Sequence, residues 1–361
     1  MGSNRWGDIF TFTTWGESHG KMIGVVIDGC PAGLALCEQD LNDALFLRKP
    51  GKAFTSPRKE PDLCEIVSGL YQGVTTGAPL SVIIKNLDVD SSKYEPIKDI
   101  FRPGHAQYTY FMKYGLCDPY GGGRASARET ACRVCAGAVA KKILAKESIQ
   151  VLAFLKSIAS IEALVEGDFT FLQQAVVSDP LFCPDPKASL EMQSFLQKLI
   201  QQKDSIGACV EVHTTHLPVG LGDPIYEKLE ANLGKALLSI PAVKGVVFGC
   251  EKECLQLPGS AFRDPLVSQD KKGVFTTNHS AGVLGGISNG MPLRVRVFFK
   301  PTSSVFAPIS SLNTSFEPVS STIPEGSRHD PCVAIRGVAV AEAMVAVTLA
   351  DAVLKNRLAR I

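Results

Sequence analysis

A surplus of charge of either sign is missing from this sequence. Its 361 residues carry 37 lysines and arginines against 36 aspartates and glutamates, so the formal charge is 37 − 36 = +1. Coating nucleic acid or anionic lipid rests on a basic surplus, so neither is an expected partner, and any cationic site must be local. Long apolar runs are also missing. Glu342 and Asp351 interrupt the most hydrophobic stretch, and nothing approaches the ~20 unbroken apolar residues of a membrane span. The amino-terminal MGSNRWGDIF has no apolar export segment, and Trp6 stands where a myristoylation signal needs Ser or Thr. A disulfide framework is absent too, because the 11 cysteines are odd in number and scattered from Cys30 to Cys332. These absences lead to a cytoplasmic protein in which cysteine serves mainly as a small core residue. No metal is expected, since joining Cys132 and Cys135 to His213 and His216 would put two ligands inside a helix without the usual knuckle.

No repeat, low-complexity tract or charged linker divides the chain, so residues 1–361 are expected to form a single domain. Strands are predicted from β-branched runs at 22–28, 64–68, 81–86 and 243–248, and from alternation at 208–214 and 293–300. In the last of these Leu293, Val295, Val297 and Phe299 face one way and Arg294, Arg296 and Lys300 the other, the pattern of an antiparallel sheet with one wet face. Two helices are predicted, Ala127 to Leu144 and Val338 to Leu354, with small apolar residues on nearly every face. A helix apolar all round is buried, and small side chains let neighbours approach closely. The expected fold class is therefore α+β, a layered sandwich with small-residue helices packed between antiparallel sheets. Residues 304–330, rich in Ser, Thr and Pro with no period, read as an irregular functional loop or lid.

Gly121-Gly122-Gly123-Arg124-Ala125-Ser126 opens onto the first helix, and Ser126 with Glu129 has the form of a capping box. Unpaired N–H groups and the positive dipole end there, joined by Arg124, Arg128 and Arg133, suit a phosphate. The stretch from Arg48 to Lys59 holds five cations and no acid. Lys300-Pro301-Thr302-Ser303-Ser304 follows a strand and could hold a second phosphate. His213, His216, His279 and His329 read as ordinary surface or loop polarity. His19 in Gly16-Glu17-Ser18-His19-Gly20 and His105 in Arg102-Pro103-Gly104-His105 differ, each being fixed in a glycine-defined loop, a setting that suits a general acid near neutral pH.

Two rival readings are open to these residues. Ser18 fits G-x-S-x-G, the form of a serine hydrolase elbow, but that motif needs a helix next and several strands before it, whereas Gly20-Lys21 leads into the strand MIGVVID. A non-catalytic phospho-ligand-binding protein would account for the arginines and leave the two glycine-held histidines without a purpose.

Several segments together resemble the chorismate synthase family: TTWGESHG at 13–20, RKPG at 48–51, SGLYQGVTTGAPLSVIIKN at 68–86, RPGHAQYTY at 102–110 and GGGRASARETACRVCAGAVAKK at 121–142, followed by DSIGA at 204–208, PAVKGVVFG at 241–249, LGGISNG at 284–290, KPTSS at 300–304 and RHDPC at 328–332. The resemblance runs in order from about residue 5 to about residue 356. It implies a lyase of the shikimate pathway, which serves aromatic amino acid biosynthesis. The reaction is the 1,4-anti elimination of phosphate from 5-enolpyruvylshikimate 3-phosphate to give chorismate, dependent on reduced FMN although no net redox change occurs. Flavin and substrate bring several negative charges into one cleft, where unit charges ~4 Å apart repel by roughly 4 kcal/mol at an effective dielectric of 20, so several cations are needed.

By the same resemblance His19 would protonate the departing phosphate, His105 would protonate or stabilise the reduced flavin, and Asp330 would help move the ring proton. Substrate contacts would be Ser18, Arg48, Arg102, Arg128 and Arg336. Flavin contacts would be Arg124, Ala125, Ser126, Pro241, Ala242, Gly285, Lys300, Pro301, Thr302, Ser303, Ser304 and Arg328. A homotetramer is implied. The flavin could be reduced with NADP chemistry by this chain or by a separate flavin reductase, and with no long insertion or nucleotide fingerprint the external source is the expected one. Four positions depart from the family pattern: Leu47 and Phe54 stand where arginines are common, Gln107 replaces an aspartate after His-Ala, and Tyr120 an arginine before the triple glycine. With Phe54 in that loop, Arg58 or Lys52 would have to supply the missing cation.

Overall fold

β-Branched residues cluster where the strands form. In the computed structural model, which describes residues 2–249, 253–324, 326 and 329–360, Met22–Asp28 is the central strand of a five-stranded antiparallel sheet. Its order is Arg5–Trp6, Thr11–Trp15, Met22–Asp28, Leu80–Lys85, Cys64–Ser68. A second antiparallel sheet has the order Val243–Phe248, Pro292–Phe299, Ala208–His216, Val151–Ile158, Ile161–Glu162. The six strands expected from sequence lie within two residues of their predicted bounds. Along Pro292–Phe299 the alternation holds, with Leu293, Val295, Val297 and Phe299 buried and Arg294 exposed. The opposite face is less wet than expected. Arg296 Nε donates to Glu211 Oε2 at 2.7 Å, and His213 lies 2.6 Å from the other Glu211 oxygen, so a charged cluster covers that side.

The two small-residue helices are Thr130–Ala145 and Ala334–Asn356. They cross at Gly137, where a Cβ would come within 2.4 Å of the Ala343 Cβ, so nothing larger than glycine fits without a shift. The first helix packs against Thr11–Trp15 and Met22–Asp28, the second against Val151–Ile158 and Ala208–His216. Gly337 likewise admits the Phe299 ring at 2.7 Å from where its Cβ would be. The second helix has the length and apolar composition of a membrane span, yet it is buried among these neighbours. One contiguous apolar core runs through both sheets and both helices. Seven cysteines are buried among the described residues, Cys132 and Cys135 in the helix crossing among them.

Two expectations need correction. The capping box does not form. Ser126 accepts from the Arg128 amide at 3.3 Å, but the Glu129 carboxylate turns away to Thr14 and Arg133, and single turns of tight helix precede the α-helix at Thr130. Nor is 304–330 wholly irregular, because Ile309–Leu312 and Pro318–Ser321 pair as a hairpin whose turn is closed by Asn313 Oδ1 accepting from Ser315 and Glu317. The Phe101 amide donates to Leu312 and ties this hairpin to the segment carrying Arg102 and His105. Serine-rich exposed strands carry no hydrophobic alternation, which is why the pattern concealed them.

Candidate active site

The glycine triplet ahead of the Thr130–Ala145 helix is the site's pivot. Gly121 and Gly122 both have positive φ, 60° and 84°, the region that L-residues avoid. Space forbids a side chain as well. A Cβ on Gly121 would lie 2.2 Å from the His19 ring and 2.6 Å from Ser18 Oγ, and one on Gly122 would lie 2.9 Å from His105 Nε2. Bare backbone therefore passes between two histidines from distant segments. Around it a cavity of about 650 Å³ is lined by His19, Arg102, His105, Arg124, Arg128, Lys300, Asp330 and Arg336 among others, a size suited to small organic ligands.

The basic residues divide into two groups. Arg48 is fully buried and donates to Asp62 at 2.9 Å, to Thr130 Oγ1 at 3.0 Å and to the Ala127 carbonyl at 3.0 Å. Arg128 shares the same carboxylate and also donates to Asn86 Oδ1 at 2.8 Å. Asp62 thus sits between two guanidinium groups with 2% exposure. Burial, followed by the nearby Arg336 cation, lowers the Arg48 pKa to about 9. Arg336 pairs with Asp330 at 2.9 Å, Arg58 with Glu60 at 2.6 Å and Arg133 with Glu129 at 3.0 Å. In the second group, Arg102, Arg124 and Lys300 have no carboxylate within ion-pair distance among the described residues. Arg124 spends its donors on Gly16 and Thr14 carbonyls, Thr14 Oγ1 and Asn4 Oδ1, all neutral. Among the described residues Lys300 donates to the Gly104 and Pro301 carbonyls. Arg102 lies over the Tyr94 ring at 5.6 Å and donates to Gln107 Oε1 at 3.3 Å. A cation left without a counter-charge inside a protein is costly unless a ligand anion compensates it.

These cations act on the histidines. Burial, then Arg102, Lys300 and His329, push the His105 pKa down to about 3, and burial with Arg102 takes His329 to about 4. Both rings are neutral at pH 7 by wide margins. His19 is oriented by Ser91 Oγ, 2.9 Å from Nδ1, and by the edge of Tyr94, which leaves Nε2 facing the glycine turn. Asp330 has both oxygens engaged, one by the Ser56 amide at 2.9 Å and the other by Arg336. That bond ties the 48–59 loop to the segment ahead of the C-terminal helix.

Most residues singled out in the sequence come together here. His19, His105, Asp330, Arg102, Arg128, Arg336, Arg124, Ala125, Ser126, Pro241, Ala242, Lys300, Thr302, Ser303 and Ser304 line the cavity, and Ser18 adjoins it through Gly121. Arg48 does not line it. Each of its three nitrogens donates to a partner inside the protein, and through Asp62 it buttresses Arg128. Pro301 is flanked by lining residues, Gly285 lies at a separate hairpin turn between Val283–Leu284 and Ile287–Ser288, and Arg328 falls outside the described residues. Phe54 packs against the apolar core at φ 59°, and of the two expected substitutes Arg58 lines the cavity. Ser18 is followed by a strand, not a helix, so no nucleophile elbow forms. Sequence reasoning missed His329, whose buried Nε2 has no hydrogen-bond partner among the described residues, and Tyr94, Asp62 and Gln107. Two of these carried a signal, His329 by its place beside Asp330 and Gln107 by its departure from the family's aspartate.

A pocket with cations on its wall that no carboxylate pairs among the described residues, two histidines across a glycine turn and a fixed carboxylate suits proton transfer on anionic, phosphate-bearing ligands. Comparison with known proteins agrees and sharpens this class. A family model described as chorismate synthase matches residues 10–354. The chorismate synthase of Protochlamydia amoebophila (strain UWE25) is 52% identical over 363 residues, covering 99% of each chain. A crystal structure of chorismate synthase has a TM-score of 0.76 and 30% identity, covering 97% of this chain and 93% of that one. The chain belongs to the chorismate synthase family, and its activity is that of a chorismate-forming lyase.

Proposed function

We propose that this chain forms chorismate by 1,4-anti elimination from 5-enolpyruvylshikimate 3-phosphate, with reduced FMN held in the same cavity. One observation carries this reading beyond the family assignment: Arg102, Arg124 and Lys300 line one cavity and form no ion pair with a carboxylate among the described residues, beside a glycine turn that only bare backbone can follow. That donor set fits a flavin phosphate and a second polyanion. Arg124, Ala125, Ser126, Pro241, Ala242 and the 300–304 turn would hold the flavin, and Arg102, Arg128, Arg336 and Ser18 the substrate. Reduced FMN, when bound, supplies transient electron density to the substrate ring.

The chain's own groups supply position and protons. His19 would give its Nε2 proton to the departing phosphate, and Asp330, held by Ser56 and Arg336, would help take up the proton that leaves the ring. Carbon–oxygen and carbon–hydrogen bonds break on one substrate, phosphate departs, and no net electrons are exchanged. His105, held neutral by burial and by Arg102 and Lys300, would stabilise the reduced flavin through a hydrogen bond. Arg48 acts at one remove, holding Asp62 and the start of the Thr130–Ala145 helix. The helices crossing at Gly137 with a sheet on either side support the finer reading of a layered sandwich in one domain. We further propose a cytoplasmic homotetramer supplied by a separate flavin reductase.

Anaerobic protein with reduced FMN should release phosphate from the enolpyruvyl substrate, and oxidised FMN should support none. Turnover without flavin would remove the cofactor from the reading. His19→Ala should cut kcat at least 100-fold, in the range of general acid catalysis, with flavin affinity within threefold. A wild-type rate in that variant would end the role of His19 as acid.

A further inference from the structure

Glu129 is a buried carboxylate with no step in the proposed reaction, and two hydrogen-bonded arms leave it in different directions. It is 6% exposed, in the tight turn that precedes the Thr130–Ala145 helix. On one arm the Thr14 hydroxyl donates to Glu129 Oε1 at 3.0 Å and accepts from Arg124 Nη2 at 2.7 Å. Chemistry fixes the direction of that chain. A carboxylate paired with a guanidinium only accepts, and Arg124 only donates, so the single hydroxyl proton is committed to Glu129 and a lone pair is turned toward Arg124. On the other arm Arg133 Nε donates to both Glu129 oxygens, at 3.1 and 3.0 Å, while its terminal nitrogens reach Ser239 Oγ at 2.6 Å and the Ser239 carbonyl at 3.2 Å.

Each arm ends on the cavity wall. Arg124 lines the cavity, and Ser239 begins the turn that carries Pro241 and Ala242 along it; the Ala242 carbonyl in turn accepts from the Lys300 amide at 2.9 Å. These are the segments assigned above to the flavin, and one carboxylate joins them. Arg124 and Arg133 are half-buried and also line a second cavity of about 940 Å³. With open space on more than one side, hydrogen bonds decide where these two side chains point. We propose that Glu129 is a positioning residue of the flavin site, aiming Arg124 through Thr14 and holding the 239–242 turn through Arg133. The inference rests on the proposed binding of FMN in this cavity, and the wild type's own affinity for FMN tests that reading separately.

The experiment measures the affinity of the full chain for oxidised FMN by quenching of flavin fluorescence, with saturating 5-enolpyruvylshikimate 3-phosphate present, and the melting midpoint without flavin. Thr14→Val keeps the volume and removes the hydroxyl, whereas Thr14→Ser keeps the hydroxyl. In Glu129→Gln the side chain has one acceptor and one donor, so whichever way the amide turns, one arm meets a donor with a donor. The dissociation constant should rise at least tenfold in Glu129→Gln, about 1.4 kcal/mol of binding. It should rise about fivefold in Thr14→Val, part of the strength of a hydrogen bond to a charged group, and stay within twofold of wild type in Thr14→Ser. Should Glu129→Gln not fold, the two Thr14 variants carry the test. Wild-type affinity in Thr14→Val, an equal loss in Thr14→Ser, or a lowered midpoint with affinity unchanged would overturn the proposal, the last by making the network purely structural. Failure of the wild type to bind FMN would instead remove the flavin from the cavity. Adding Thr14→Val to Arg124→Met checks the route: a further loss of affinity above twofold would show that Thr14 acts on something other than Arg124, which overturns that arm.

Discussion

The two walls of the cavity handle positive charge in opposite ways. On the side of the 48–62 loop, Arg48 and Arg128 close together on Asp62, Arg58 on Glu60 and Arg336 on Asp330, so each guanidinium is ion-paired with a carboxylate from this chain, one of them shared. On the side of the 102–107 turn, Arg102, Arg124 and Lys300 are met by carbonyls, an amide, hydroxyls and a ring. Removing one partner of a buried ion pair typically costs about 3–5 kcal/mol, because the other charge is stranded. An unpaired buried cation makes no such contribution and lowers stability until an anion meets it. The first wall is thus expected to hold the fold, and the second to hold ligand at some expense to the fold. Sequence position does not distinguish them, since both lie in arginine-rich, glycine-bearing loops.

The largest effect should come from Asp62→Asn. Asparagine matches aspartate in shape and tolerates the positive φ of 51° found there, so the change removes charge and little else. Two guanidinium groups would then share no carboxylate, and we expect a loss of about 3–5 kcal/mol, seen as a thermal midpoint lowered by on the order of 10 °C. A wild-type midpoint would dissolve the distinction between the walls. The counterpart is Arg102→Met, which keeps the volume and removes an unpaired cation. Its midpoint should equal or exceed that of wild type while kcat/KM falls at least 100-fold, about 2.7 kcal/mol of transition-state binding. A large loss of stability here would place Arg102 with the buttressing group.

The unpaired wall should also register in acid. His105 and His329 have pKa values near 3 and 4 in the folded chain against about 6.5 when unfolded. Between those values the unfolded state binds more protons, so stability rises with pH. Above pH 6.5 neither ring contributes; as pH falls to 5 each withdraws up to roughly 2 kcal/mol. Denaturant titrations from pH 7 to 5 should show this loss, and His105→Gln should lessen its slope. A slope unchanged by that substitution would mean that His105 titrates normally.

How much of this was legible beforehand follows the same division. Strands with β-branched alternation and helices of small residues stood out because their patterns repeat at the period of the structure they form. The hairpin at 309–321 did not, since neither of its strands has an apolar face. In the site, His19 and His105 were marked by glycines that fix local backbone, and the KPTSS turn by its hydroxyls. Arg48 could not be told from Arg102 by neighbours along the chain. The difference between them is made by Asp62 and Gln107, residues that fold into contact with each arginine and that no spacing rule connects to it. Composition supplies the cations, and only tertiary contact decides which of them are neutralised.

The smallest predicted effect concerns how His19 is aimed. Its Nδ1 lies 2.9 Å from Ser91 Oγ and its Nε2 borders the glycine turn. For Nε2 to carry the proton that it gives away, either the Ser91 hydroxyl donates to Nδ1, fixing the neutral tautomer, or it accepts from a doubly protonated ring. Both arrangements need the hydroxyl. Ser91→Ala removes it while Tyr94, 5.2 Å away edge-on, still confines the ring plane. A neutral hydrogen bond is worth about 1 kcal/mol, so kcat should fall three- to tenfold with KM within twofold and an unchanged melting midpoint. A change in KM with kcat intact would reassign Ser91 to ligand binding. A 100-fold loss would mean that the hydroxyl takes part in the proton path itself.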